Sequence, residues 1–337
     1  MSNKRAFITG ISGQDGSYLT EFLLKKGYEV AGLIRRNAAN ETGNIEHLIS
    51  EIKIYHGDLV SPESIAMALL DFKPDEIYNL ASQSSPLASF KDVFGTMMIT
   101  GIGAVQVFER VKQIVPKAKI YQASTSEMFG KPSQIPQNEE TPFSPANPYS
   151  AAKELAHRMA IIYRNDKNKP MFISCGILFN HESPRRGLNF VTRKISAAVA
   201  VLKNNKKEGI PLNESGEPIV KDGKLTLGDL DAKRDWGYAP DYVEAMWMIL
   251  QKDSPDDFVI ATGEMHTVEE FAKEAFETVG LNWKEYVVVD DKFVPPVQTG
   301  PLLGDFAKAK KILGWEPKTK FPDLVKIMVH SDLAKFT

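Results

Sequence analysis

A single cysteine, Cys175, stands among the 337 residues, so no disulfide can close within the chain. That scarcity fits a reducing compartment, and a cytoplasmic location is expected. The chain also lacks any apolar run near the ~18 residues a membrane helix requires. Met1-Ser2-Asn3-Lys4-Arg5 leads straight into Ala6-Phe7-Ile8-Thr9, which is too short an apolar stretch for a signal peptide. Charge of one sign is missing too: 41 Lys and Arg meet 43 Asp and Glu, for a net charge of −2. Neither nucleic acid nor an anionic membrane is an expected partner of so balanced a chain. The six histidines are scattered, and none pairs with carboxylates or the cysteine at ligand spacing, so no metal site is expected. No internal repeat or low-complexity segment is present. What remains is an ordinary globular composition, 43% hydrophobic and 25% charged. At ~150 residues per domain, the length suits two domains or one large α/β unit with an added lobe.

The first half alternates short apolar runs with helical periodicity. Strands are expected at Arg5–Thr9, Tyr28–Ile34, Lys53–His56, Glu76–Leu80, Lys119–Ala123 and Met171–Leu178. Helical patterns lie between them, at Ser17–Lys26, Ser61–Phe72, Ile102–Val115 and Asn147–Arg164. This rhythm predicts a doubly wound parallel sheet. After Phe179 the rhythm changes. Helices are expected at Asn189–Leu202, Pro240–Lys252, Thr267–Val279 and Pro322–Lys335, and residues 203–226 read as an exposed polar excursion. The expected division is therefore a dinucleotide domain over 1–178, with a return segment near 235–262, and a smaller α/β substrate lobe over 179–337.

Thr9-Gly10-Ile11-Ser12-Gly13-Gln14-Asp15-Gly16 joins the first strand to the first helix. Glycines at 10, 13 and 16 permit a sharp turn, close approach to a pyrophosphate and tight packing of the helix on the sheet. A tight turn without ligand is the plainer alternative. The second strand ends at Ile34, and Arg35-Arg36 follows where an NAD site places a carboxylate. A basic residue there suits the 2′-phosphate of NADP; a solvated basic pair is the rival reading. Asp58, after the third strand, suits the adenine amino group, or a cap on the next helix.

Tyr149 and Lys153 share one helix face at i, i+4 spacing. A nearby ammonium favours the phenolate, which can take a hydroxyl proton as hydride leaves the same carbon. Ser124-Thr125-Ser126-Glu127 follows the fifth strand at the sheet edge where α/β proteins bind ligands. Thr125 can bond a sugar hydroxyl, and Glu127 can serve as acid and base.

These motifs resemble the extended short-chain dehydrogenase/reductases and, within them, the GDP-mannose 4,6-dehydratase family. The closer match lies in Ile8 to Leu19, Tyr121 to Glu127, Gly176 to Gly187, Asn189 to Ile195, Gly228 to Gly237, Asp241 to Trp247 and Phe258 to Glu264. The resemblance implies a modified Rossmann domain holding NADP and a lobe for a GDP-hexose. It implies catalytic roles for Thr125, Glu127, Tyr149 and Lys153. Cofactor contacts are implied for Gly10, Gly13, Gln14, Asp15, Gly16, Arg35 and Asp58. They extend to Leu59, Leu80, Ala81 and Gln83, to Tyr149 and Lys153, and to His181 and Arg186. Substrate contacts are implied for Ser84, Ser85, Thr125, Ser126 and Glu127, and for Asn180, Asn189, Lys194 and Arg234. For Arg234, an ion pair with Asp231 or Asp235 is the rival.

Departures cluster on the substrate side. Ser85 stands where the family has histidine, and the 91–98 stretch is altered. Pro295 replaces an arginine that meets the nucleotide phosphates, and the 203–226 excursion is long. Arg193, Lys194 and Arg234 are candidates to offset the diphosphate charge. The expected reaction converts GDP-mannose to GDP-4-keto-6-deoxymannose. The alternatives are a 4,6-dehydratase of another nucleotide sugar, an epimerase or reductase on the same scaffold, and a non-catalytic NADP-binding regulator. The resemblance also implies a homodimer through helices near 101–115 and 149–164, or a homotetramer through the loop 37–47.

Overall fold

Strand β1, Arg5–Thr9, is buried from Ala6 onward, as a strand covered on both faces must be. The computed structural model describes residues 3–35, 42–213, 216–290, 292 and 299–336. Gly10 follows β1 at φ +71°, a conformation that side chains strain to adopt. Helix α1, Gln14–Lys25, then starts from Gly13. It begins three residues earlier than its apolar periodicity suggests, because the Gly13 carbonyl already accepts from Ser17 N. Gly16 permits this packing: a Cβ there would lie 2.4 Å from Gly10 O.

The chain continues through β2 (Glu29–Ile34), β3 (Lys53–His56), α2 (Pro62–Phe72) and β4 (Glu76–Asn79). Two one-turn helices, α3 (Pro86–Ser89) and α4 (Val93–Thr96), precede α5 (Gly103–Ile114). Strand β5 (Lys119–Thr125), helix α6 (Pro148–Arg164) and strand β6 (Ile173–Leu178) complete the expected alternation. Then come β7 (Asn180–Glu182), α7 (Val191–Lys203), β8 (Leu225–Leu227), β9 (Lys233–Arg234) and β10 (Trp236–Tyr238). Helix α8 (Ala239–Leu250) and β11 (Asp257–Ile260) are followed by β12 (His266–Thr267), α9 (Val268–Glu277), β13 (Val287–Val289), α10 (Ala307–Leu313) and α11 (Phe321–Lys335).

Seven parallel strands form one sheet in the order β11-β6-β5-β4-β1-β2-β3. β11 pairs with β6, so residues beyond 235 return to the sheet. Leu69, Phe108 and Ala156 of α2, α5 and α6 pack on one face. Leu19 of α1 and Met246 of α8 pack on the other. A separate apolar core joins α7, α9 and α11, through Ile195, Phe271 and Met328. The excursion at 203–226 departs from its expected exposure: Ile219, Val220 and Leu225 are buried in that core. Its polar sequence hides three apolar anchors. Strand order reverses between β1 and β4, and a ligand crevice opens at the carboxyl ends of strands there.

A buried polar row crosses the sheet at that switch point. Thr9 Oγ1 donates to Asn79 Oδ1 at 2.7 Å, and Asn79 Nδ2 donates to Gln122 Oε1 at 2.7 Å. Leu80 N and Ala81 N donate back to Thr9 Oγ1 at 3.1 and 3.2 Å. Asn79 is 1% exposed, so neither neighbour can turn to water if it is lost. The variant Asn79→Leu is expected to lose about 2–3 kcal/mol of stability in urea unfolding, because it orphans two buried groups. A loss within ~0.5 kcal/mol would show that the row contributes nothing.

Candidate active site

Thr125 ends β5 and accepts from Glu127 N at 3.3 Å, starting a short 3-10 turn over Ser126–Phe129. That turn presents Glu127 to helix α6. Asn147 caps α6: its Oδ1 accepts from Ser150 N at 2.8 Å, and Pro148 opens the first turn. The same Asn147 donates Nδ2 to Glu127 Oε2 at 3.1 Å. One residue therefore fixes the start of α6 and one oxygen of the carboxylate.

Tyr149 and Lys153 lie on the buried face of α6, at 8% and 3% exposure. Lys153 Nζ sits 5.8 Å from the Tyr149 ring centre and donates to Ala123 O at 2.8 Å. Burial pushes the Tyr149 phenol up to about 12; the Thr125 hydroxyl opposes this and the Glu127 charge adds to it. Burial pushes Lys153 down to about 8, against the pull of Asp15. Desolvation thus disfavours the phenolate in the protein alone, although the Lys153 ammonium lies on the same helix face.

The facing wall is made by the start of α1 and by β7. His181 Nε2 lies 2.9 Å from Asp15 Oδ2, and its Nδ1 lies 2.7 Å from Phe179 O. Burial disfavours the charged imidazole, yet Asp15 outweighs it and the His181 pKa is raised. Burial likewise works against ionised Asp15, but His181 and Gln14 hold it at about 2. Gln14 locks the wall by donating to His181 O at 3.0 Å and accepting from Ser183 Oγ at 2.8 Å. Arg186 lies 3.3 Å from Glu182 and stacks 3.5 Å over the Phe190 ring.

Together these walls enclose a cavity of about 480 Å³. Lining it are the glycine turn with Gln14 and Asp15, then Leu80, Ala81 and Ser84. Thr125, Ser126, Glu127, Tyr149 and Lys153 form the far side, with Asn180, His181, Arg186 and Asn189. A second cavity of about 280 Å³ shares Gly10, Ala81 and Ser82 with it and carries Arg35, Asp58 and Leu59. The joined space runs across the switch point, as an extended dinucleotide requires. Gln83 Oε1 is buried without a protein partner, and Gln83 N is held by Thr100 Oγ1 at 3.1 Å.

Four sequence-based candidates do not line either cavity. Gln83 stands behind the wall, and Ser85 instead caps α3 by accepting from Ala88 N at 3.2 Å. Lys194 donates to Thr226 O at 2.7 Å, under the excursion. Arg234 donates to Lys233 O and, at 2.6 Å, to Thr299 Oγ1; its rival ion pair is absent among the described residues. Asp235 is occupied elsewhere, accepting from Thr262 N and Gly263 N at 2.8 and 3.0 Å. Arg193 is corrected as a diphosphate candidate: it is buried against Asp332 and Pro184 O. Arg36, Pro295 and residues 37–41 lie outside the described residues. Sequence reasoning missed Asn44, Arg185 and Phe190 at the cavity and Asn147 behind Glu127. Only Asn147 carried a signal, as an Asn-Pro pair opening a helix. No cluster of metal-ligating side chains occurs among the described residues.

Beneath the cavity, His157 follows Lys153 by one helical turn and is 3% exposed. Burial pushes it down to about 4, with Asp257 opposing and Arg158 and Arg164 assisting.

A family model described as GDP-mannose 4,6 dehydratase matches residues 7–328. The chain is 46% identical to GDP-mannose 4,6 dehydratase 2 of Arabidopsis thaliana, over 98% of this chain and 87% of the relative. Identity is 45% to the GDP-mannose 4,6 dehydratase of Homo sapiens, over 97% and 91% of the two chains. Among solved structures, a UDP-glucose 4-epimerase of Thermus thermophilus in complex with NAD superposes with TM-score 0.81 at 23% identity, covering 97% and 98%. RMD from Pseudomonas aeruginosa complexed with NADPH gives 0.78 at 19% identity, covering 99% and 100%. At such identities these structures share the fold.

The depressed His157 has a consequence for acid stability. In the unfolded chain it takes a proton near its usual 6.5, whereas in the fold it waits until about 4. Its stabilising contribution is therefore complete above pH 6.5 and is lost as pH falls from there towards 4. Up to about 3 kcal/mol is at stake. His157→Asn is expected to flatten the fall of thermal midpoint between pH 6.5 and 4; an unchanged slope would exclude His157 as its source.

Proposed function

The chain belongs to the GDP-mannose 4,6-dehydratase family, and on that premise we propose how its cavity removes water from GDP-mannose to leave GDP-4-keto-6-deoxymannose. The observation that carries the reading is Glu127, anchored by Asn147, in one cavity with Tyr149 and Lys153. An epimerase or reductase does not need a carboxylate there to eliminate water, and a regulator needs none of the three.

A nicotinamide dinucleotide held at the glycine turn, beside Asp15, His181 and Arg186, would supply the redox chemistry, hydride exchange with the sugar carbons. Tyr149 removes the C4 hydroxyl proton, with Lys153 supporting the negative charge. The C4 ketone acidifies the C5 hydrogen. Glu127 takes that proton, and the same carboxyl protonates the C6 hydroxyl as it leaves as water. A proton then returns to C5, so the cycle is redox-neutral. Thr125 and Ser126 hold sugar hydroxyls. Asn180 and Asn189 extend the site towards the nucleotide, with Lys194 and Arg234 behind them in the lobe.

The cofactor is NADP. Arg35 and Asp58 both line the smaller cavity, and Arg35 stands at the end of β2 where a carboxylate would select NAD. The protein acts as a homo-oligomer in the cytoplasm. Exposed Ile102, before α5, and Ile162, on α6, supply apolar surface for a second copy. Among the described residues no helix is long and apolar enough to cross a membrane.

Glu127→Gln keeps the shape of the side chain but cannot shuttle a proton. It is expected to bind cofactor normally and to release no water from GDP-mannose. In deuterated water the wild-type product gains deuterium at C5; a product without it refutes the elimination scheme. Arg35→Ala is expected to weaken NADP binding about tenfold and leave NAD binding as it was. Unchanged NADP affinity removes Arg35 from the selection of cofactor.

A further inference from the structure

Between β5, α6 and β11 lies a row of polar side chains that the dehydration scheme leaves unused. Ser124 lines the cavity, and its Oγ lies 2.9 Å from Nδ1 of His157. On the other side of the ring, Nε2 stands 3.9 Å from Asp257 Oδ2. Asp257 is itself fixed by two bonds from Arg164, at 2.8 and 2.7 Å, and by Cys175 N at 3.2 Å. Phe143 meets the imidazole edge to face at 5.1 Å. The ring is thus immobilised and cut off from solvent.

A serine, a histidine and an aspartate in a row invite comparison with a hydrolytic triad, but the geometry denies it. The carboxylate does not reach hydrogen-bond distance of the ring. A buried imidazole titrating at about 4 is also a poor base for a serine proton. What the row does fix is the direction of a hydrogen bond. The Asp257 charge favours the tautomer with its proton on Nε2, which leaves Nδ1 as an acceptor. Ser124 O–H then donates to Nδ1, which leaves its oxygen as an acceptor at the cavity wall; the buried Cys175 thiol also lies within hydrogen-bonding reach of Ser124 and Asp257.

We propose that His157 is a positioning residue for the dehydration, holding Ser124 Oγ as an acceptor for a neutral O–H or N–H donor of the molecule bound beside Tyr149 and Lys153. This rests on the dehydratase reading of the same cavity. Two donors share the required chemistry, a hexose hydroxyl and the carboxamide of the nicotinamide ring, and separate titrations distinguish them.

The test compares Ser124→Ala, His157→Phe, His157→Asn and the Ser124→Ala/His157→Phe double variant. Asparagine keeps an acceptor near the place of Nδ1, whereas phenylalanine fills the space without one. Two quantities are read: the dissociation constant for NADP, and kcat/KM for GDP-mannose at saturating NADP. Ser124→Ala and His157→Phe are each expected to lose about tenfold in the same quantity. Loss in NADP binding assigns the carboxamide; loss in kcat/KM alone assigns the hexose hydroxyl. His157→Asn is expected to stay within about threefold of wild type, and the double variant to match Ser124→Ala. Normal values in Ser124→Ala, an additive double variant, or equal damage from Asn and Phe would each overturn the proposal. If His157→Phe does not fold, Ser124→Ala with and without His157→Asn makes the same comparison: parity supports the proposal and a further loss overturns it. A wild-type enzyme that leaves GDP-mannose untouched would fail the dehydratase reading instead, and the NADP titrations would still decide this one.

Discussion

One carbonyl oxygen, Ala123 O, receives both the Lys153 ammonium and the Gln122 side-chain amide, at 2.8 and 3.1 Å. Gln122 is the end of the row that begins at Thr9, beside the glycine turn, and crosses β4 through Asn79. The backbone amides of Leu80 and Ala81, which line the cofactor side of the cavity, join the same row. A continuous path of buried hydrogen bonds therefore runs from the floor of the dinucleotide crevice to Lys153. Buried polar groups tolerate few arrangements, since each lost partner costs a desolvated donor or acceptor. The sheet register, the position of α6 and the placement of Lys153 are fixed together.

Much of this frame was legible in the residues. The six expected strands of the first half all form; the central ones are buried and read as near-continuous apolar runs, while β3 lies half-exposed at the sheet edge. The Tyr149–Lys153 spacing located a shared helix face, since periodicity is a local property. Partners distant in the chain were beyond reach. Asp15 and His181 lie 166 residues apart, and Arg193 and Asp332 lie 139 apart. From sequence alone Arg193 is therefore a cation expected at a phosphate, whereas in the structure its charge is matched inside the lobe by Asp332. The excursion misled for the opposite reason: its many polar residues masked the few that are buried.

Family membership and local physics bear on different parts of the molecule. The chemistry-bearing groups converge in one cavity, while Ser85, Lys194 and Arg234 lie outside it. Ser85 is engaged as a helix cap and Arg234 in bonding Thr299, so each already has a structural task. The reacting end of the site is built from strand ends and a helix, which are rigid. Of the departures from the family pattern, the 203–226 excursion and Pro295 fall in the lobe, and Ser85 and the 91–98 stretch fall before it.

The anchoring of Glu127 Oε2 by Asn147 carries a stereochemical consequence. In the proposed scheme the other oxygen both collects the C5 proton and delivers a proton to the departing oxygen on C6. A single atom can do this only if both groups present themselves on the same side of the C5–C6 bond. The elimination is then syn, and the hexose must turn its exocyclic C6 arm towards the carboxylate before reaction.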